Sequence, residues 1–492
     1  MPNSFFKGGI PARYGNRLSS VLDISLREGN KDHLSGTIGV GILSAKLTLE
    51  GPLHNKKGSF LISARRTPYD LIVAPISTLF GNRIGYYYQD LVAKINFPLN
   101  NHNTLFLSSY YGADKVYRTE FTIQPQSMVK DRTAWGNITT ALRWANNTLP
   151  NTLSNLTFAF TRYRYIKDTR AYDKLFLGKQ TEYLGYTSNI NDIIARWNVS
   201  YALSQAHQIN TGIDNSLHIF NPGTNYARNQ DTASSIGQHY FHNETNAFLE
   251  DGFQWKRFTA TLGIRATYYQ LKNKAYFATQ PRILLNLKVS NNTTLSASYN
   301  RMYQFLHLYA NSTIGLPTDL WVPVSHNLPP SSCNQYSAGV KTTLKNLSIS
   351  AELFFKDMQN VTDYRDGVIL NNTQTNWDEV LSLGKGIAYG IEWLLDYHHT
   401  RFDVSLAYTF ARSFRKHTDI KQGEWFPFTY DRPHNININL QWNINPNKHL
   451  SANWVYASGY MITVSEGNFY VGDTPYPDLS NRNNCRTPSD HH

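Results

Sequence analysis

Few side chains in this sequence stand in spacings that make or break a bond. No G-x-S-x-G elbow presents a serine nucleophile and no H-E-x-x-H pair presents a metal site. His491 and His492 read as an exposed chain end, and FHNET at 241–245 sets one His beside one Glu as ordinary strand decoration. Cys333 and Cys485 are too few for a disulfide framework and wrongly spaced for a metal. The chemistry on offer is recognition. Residues 305–332 carry His307, Tyr309, Asp319 and Trp321, and Pro317 and Pro323 limit the freedom of the segment. Aromatic faces stack on sugars and flat chelates, and a carboxylate accepts hydrogen bonds from hydroxyls. The competing reading is that Trp321 and its neighbours pack this connection against adjacent ones. Either way the expectation is a binding protein, with no catalytic residues, no cofactor and no metal.

Side chains of this kind need a wall to stand on, and the wall is legible as strands. In NININLQWNI (435–444), Ile436, Ile438, Leu440, Trp442 and Ile444 alternate with Asn435, Asn437, Asn439, Gln441 and Asn443. Residues 294–299 repeat the pattern, with Leu295, Ala297 and Tyr299 opposite Thr294, Ser296 and Ser298. A polar face without charge differs from the Lys- and Glu-bearing face of a soluble sheet and matches a wet lumen behind a lipid-facing surface. Short polar connections recur at 54–59, 100–103, 204–207, 290–293, 345–346 and 445–448. Longer ones, at 167–189, 305–332, 356–381 and 413–430, lie between them. Loop length sorted by strand parity is the arrangement of a membrane barrel, and about nineteen strands of ~10 residues are counted this way.

Composition agrees. Of 492 residues, 14% are aromatic and only 17% charged, below the usual quarter. Mean hydropathy is −0.44. No apolar run approaches the ~20 residues of a spanning helix; the nearest, 71–80, is broken by Pro75. The net charge of +12 is dispersed along the chain without any nucleic-acid-binding motif, so nucleic acid is excluded as a partner. The fold class expected is all-β, a large antiparallel transmembrane β-barrel.

One stretch lies outside the strand pattern. GGIPARYGNRLSSVLDISLREG (8–29) opens on two glycines and a turn and then enters a short β-rich run. It resembles the end of the plug domain of TonB-dependent outer-membrane receptors, closest to the Bacteroidota branch and its Gly-Gly-Phe-Pro-Ala-Arg-Tyr-Gly motif. Ile10 stands for the Phe, and Asn16 stands where a second Gly is usual. GPLHNKKGSFLISARR (51–66), AFLEDGFQW (247–255), SYNRMYQFLHLYANSTIGLPTDLWVP (298–323) and KGIAYGIEWLL (385–395) resemble the same branch.

The resemblance implies a barrel of the 22-stranded type, with 1–30 the end of the plug, 31–485 the barrel and 486–492 a frayed tail. It places Arg13 and Tyr14 at the plug–barrel junction. It implies uptake of a scarce solute (siderophore, haem, cobalamin or oligosaccharide) across the outer membrane. The partners implied are outer-membrane lipid, the TonB energy-coupling complex and possible surface lipoproteins. A passive porin-like channel is the alternative. Residues 1–7 hold no secretory signal, and NRNNCRTP (481–488) resembles a family segment after which about three more strands follow, with Cys485 for a Tyr. The chain is therefore expected to be an internal piece of a receptor, inactive alone.

Overall fold

The computed structural model describes residues 4–53, 57–122, 127–173, 179–229, 232–309, 320–365, 378, 381–445, 447–465, 467–471, 474–477, 485–487 and 490–491. Among the described residues, twenty-two strand segments form one barrel sheet. Three of these, Ala233–Gly237, Trp425–Pro427 and Asp490–His491, are additions of two to five residues. The other nineteen run from Ser35–Val40 to Lys448–Ala457, in sequence order and antiparallel. Nineteen is the number expected from the alternation.

The alternation becomes two faces. Leu91, Ile95, Phe97, Leu107, Leu142, Phe158, Ile193 and Trp197 are exposed on the outside, as a lipid-facing belt requires. The opposite face is polar and bonds within itself. On His434–Asn445, Asn439 donates to Asn437 and Gln441 to Asn443, at 3.0 and 3.1 Å. Satisfying every backbone group within a curled ladder is what lets a sheet stand in lipid.

At one end every connection is short, from the two residues between Ser331–Leu344 and Leu347–Tyr364 to the six between Ala45–Pro52 and Ser59–Arg66. At the other end the expected loops are partly strand. Residues 167–173 and 179–189 continue the paired arms of a hairpin, because Thr152–Asp173 and Lys179–Ala202 stay in register past Lys167 and Asn189. Likewise Leu347–Tyr364 runs on into 356–381, and Phe402–His417 into 413–430. These strands of 16 to 24 residues are partly hidden in the sequence because, above the lipid, neither face must be apolar and the period-two contrast disappears while backbone pairing continues.

The apolar run around Pro75 forms the helix Tyr69–Thr78, ten residues long. No helix among the described residues is long and apolar enough to cross a membrane. The expected frayed tail is also partly ordered: Asp490 and His491 pair with Ala457 and Tyr456, taking up ladder groups on the outer edge of Lys448–Ala457.

Candidate functional site

The site begins where residues 4–29 meet the inner wall. Ser4–Phe6 pairs with Val21–Asp23 as a two-stranded clip, and the chain between them turns at Pro11–Tyr14, closed by a 3.0 Å bond from the Tyr14 amide to the Pro11 carbonyl. Side chains of the barrel hold main-chain groups in this turn and on both sides of it. Gln335 donates to the Lys7 carbonyl at 2.9 Å, and Asn300 donates to Gly8 while accepting the Ile10 amide at 3.3 Å. Glu250 accepts the Ala12 amide at 2.7 Å. Arg265 and Arg282 donate to the carbonyls of Arg13 and Tyr14 at 3.4 Å, and Lys356 donates to Leu18 at 3.3 Å.

Those side chains come from six neighbouring strands, each contributing through its inward parity. An apolar patch completes the seat: Ile10 packs with Met302, Cys333, Met358 and Val361. Burial without these bonds would strand the amides and carbonyls at ~1–3 kcal/mol each. The glycines of the opening motif follow from the same closeness. A Cβ on Gly9 would stand 2.7 Å from the Leu284 methyls, and one on Gly15 would run into the Arg265 side chain.

Arg13 and Tyr14 are both in this turn. The Arg13 guanidinium lies 4.9 Å over the Tyr14 ring, and the Tyr14 hydroxyl donates to Asp23 at 2.5 Å, tying the turn to the clip. Above them, toward the end with the long hairpins, the FHNET residues prove to be more than decoration. His242 and Glu244 are buried and face inward. Glu244 accepts from Asn16 and, at 2.6 Å, from Asn246. His218 stands between Asp192, at 2.7 Å, and Glu244, at 3.4 Å. The sequence hid this cluster because its members are distant in the chain and meet only through register.

Above the seat the inner wall turns aromatic. Tyr88, Asp114, Trp135, Tyr165 and Ser188 form one cross-strand row on the inward face. Tyr165 meets Tyr186 edge-on at 6.2 Å, and Tyr269 stacks on Phe305 at 4.6 Å.

Within the segment 305–332, Leu306–Tyr309 pairs antiparallel with Leu320–Pro323. Trp321 sits opposite Leu308, and its ring receives the Arg17 guanidinium at 5.3 Å. His307 is buried, 1% exposed; its Nε2 donates to the Pro329 carbonyl at 3.1 Å, and Ser331 Oγ lies 3.3 Å from Nδ1. Tyr309 is placed by its backbone opposite Leu320, and Asp319 lies outside the described residues. The hairpin therefore brings His307 and Trp321 to one place, the first turned into the fold and the second toward residues 4–29.

Burial lowers the His307 pKa from its ordinary 6.5 to about 4, against the hydrogen bond to Pro329, which raises it. A depressed histidine favours the fold while neutral, so its contribution is complete above about 6.5 and is lost as pH falls toward about 4. Protease cleavage within 305–332 is expected to accelerate between pH 6.5 and 4, and the acceleration is expected to vanish in His307→Gln. An unchanged rate across that window removes His307 from the hairpin's support.

The family model described as TonB dependent receptor-like, beta-barrel matches residues 69–490. The chain belongs to the TonB-dependent receptor family. Solved receptors share the fold at low identity. The ferric yersiniabactin uptake receptor FyuA from Yersinia pestis aligns over 99% of this chain and 75% of its own, at 10% identity and TM-score 0.68. Pseudomonas aeruginosa FpvA bound to heterologous pyoverdines aligns over 100% and 68%, at 13% identity and TM-score 0.66. BauA, the ferric preacinetobactin receptor of Acinetobacter baumannii, aligns over 99% and 76%, at 10% identity and TM-score 0.63. No curated protein matches the chain by sequence. In this receptor barrel the inner face holds another segment of chain, residues 7–18 against strands between 240 and 364 and residues 26–30 against Glu50, Lys94 and Asn96, and the aromatic row stands above it.

Proposed function

We propose that the chain is the barrel and plug end of a transporter that takes a scarce solute across the outer membrane, driven through TonB. The long hairpins are extracellular in this reading and the short turns periplasmic. The solute presents a flat or ring-bearing face to Trp135, Trp321 and their neighbours, a class that includes siderophores, haem, cobalamin and oligosaccharides. The receptors of similar fold named above for ferric yersiniabactin and ferric preacinetobactin favour an iron chelate within that class. Residues 1–30 act as the plug end, with Arg13 and Tyr14 at its junction with the barrel.

One observation carries the reading: side chains of the inner wall bond seven main-chain groups of residues 7–18. A passive pore has no use for such a seat, which is why the porin-like alternative ranks second. Trp321 belongs to both the mouth and the seat through Arg17, and so joins solute contact to plug contact.

The test is binding to the refolded barrel of ferric siderophores, haem, cobalamin and oligosaccharides, each titrated separately. At least one is expected to bind, and Trp321→Ala is expected to weaken it by ~1–3 kcal/mol, the range of an interfacial hot spot. Unchanged affinity returns Trp321 to loop packing. If no titrant binds and the barrel conducts ions steadily, the passive channel replaces the transporter.

A further inference from the structure

The outward face of the tall hairpins changes character just above the aliphatic belt. On Thr152–Asp173 the outward residues are Leu156, Phe158 and Phe160, and then Arg162 and Arg164, both exposed. Neither arginine has a hydrogen-bond or ion-pair partner among the described residues. Arg164 is registered opposite Gly136, and Gly136 opposite Ala113, so the surface beside it is a floor without bulk. Across that floor stands Lys115, two strands or about 10 Å away. Its ammonium lies 5.9 and 5.6 Å over the rings of Tyr87 and Tyr117. The carboxylate of Asp168 is already bound by Arg132, at 2.7 Å, and by Arg170, at 3.1 Å.

We propose that this cradle docks a phosphate-bearing lipid of the outer leaflet. Three cations around a small-residue floor complement a phosphorylated headgroup, and guanidinium forks match phosphate oxygens in pairs. The surface is continuous with the belt that lipid already covers. One row below, Tyr111, Ile138 and Arg162 are registered side by side. Tyr111 also lines an outward concavity of about 500 Å³ with Leu47, Ala64 and Leu91, which suits an acyl chain. The inference rests on the outer-membrane reading, which sets the cradle at headgroup depth, where outward arginines are tolerated.

The full chain is refolded into phosphatidylethanolamine vesicles containing diphosphorylated lipid A or the same glycolipid without phosphates, then extracted and weighed by native mass spectrometry. The wild type is expected to retain the phosphorylated form at least tenfold over the other. Arg162→Gln/Arg164→Gln/Lys115→Gln is expected to lose that preference, while Arg162→Lys/Arg164→Lys keeps it within threefold, and Arg401→Gln in a short turn changes nothing. Heat-modifiable migration reports folding of each variant; if the triple variant does not fold, the single Arg→Gln variants are each expected to lose about threefold. Equal retention of the two glycolipids by the wild type, or full retention by the glutamine variants, overturns the proposal. A wild-type chain that never becomes heat-modifiable overturns the barrel reading and the cradle with it.

Discussion

Glu250→Ala combined with Asn300→Ala is expected to free residues 8–12 from the inner wall while the barrel stays folded. The two side chains hold the Gly8 carbonyl and the amides of Ile10 and Ala12, and Ile10 and Ala12 are 3% and 0% exposed. Each truncation leaves buried backbone groups without partners, at ~1–3 kcal/mol apiece. On the order of 4 kcal/mol for the pair is about a thousandfold in the opening equilibrium. Hydrogen exchange at Ile10 and Ala12 reads that opening directly and is expected to accelerate by that order, with strand amides such as those of 435–442 unchanged. Exchange that rises equally everywhere would mean that the barrel itself has loosened. Exchange that does not rise would mean that the seat is held by Ile10 packing and the Ser4–Phe6 clip.

The barrel was open to sequence reading because lipid imposes a rule on every spanning strand. Ile436, Ile438 and Leu440 must face one way, and turns such as 345–346 must be short because nothing is built on them. The rule lapses where lipid ends. Arg162, Tyr163, Arg164 and Tyr165 give no contrast between faces, so the strand carrying them reads as a loop from Lys167 onward, although its ladder continues to Asp173. The seat is illegible for a different reason. Glu250, Arg265, Arg282 and Asn300 look like ordinary polar alternation, and only register shows that all four converge on Gly8–Tyr14. Resemblance found the plug-like motif but not its partners. His307 shows the converse limit: residue type nominated it for ligand contact, whereas its 1% exposure and its bond to Pro329 record a supporting place in the hairpin.

The other large effect is expected at Asp431, which no sequence argument singles out. Its carboxylate is fully buried and accepts from Arg412 at 3.2 and 3.3 Å, from the Ser413 amide at 2.7 Å and from Arg486 at 2.7 Å. It therefore ties the strand Phe402–His417, the connection after it and the chain near Cys485 at one point. Two half-buried guanidinium groups depend on one anion, so removing the anion costs more than the bonds lost: the cations stay behind, uncompensated. Breaking a buried pair from one side costs about 3–5 kcal/mol. Asp431→Ala is expected to lower the temperature at which the refolded barrel loses heat-modifiable migration and to expose 485–487 to protease. Asp431→Asn keeps the shape and one acceptor but not the charge, and should fall between wild type and alanine. Arg412→Gln in the alanine background should recover part of the loss, because one stranded cation is then gone. A full loss in Asp431→Asn with no recovery on adding Arg412→Gln would show that the backbone bond to Ser413, rather than the paired arginines, makes Asp431 indispensable.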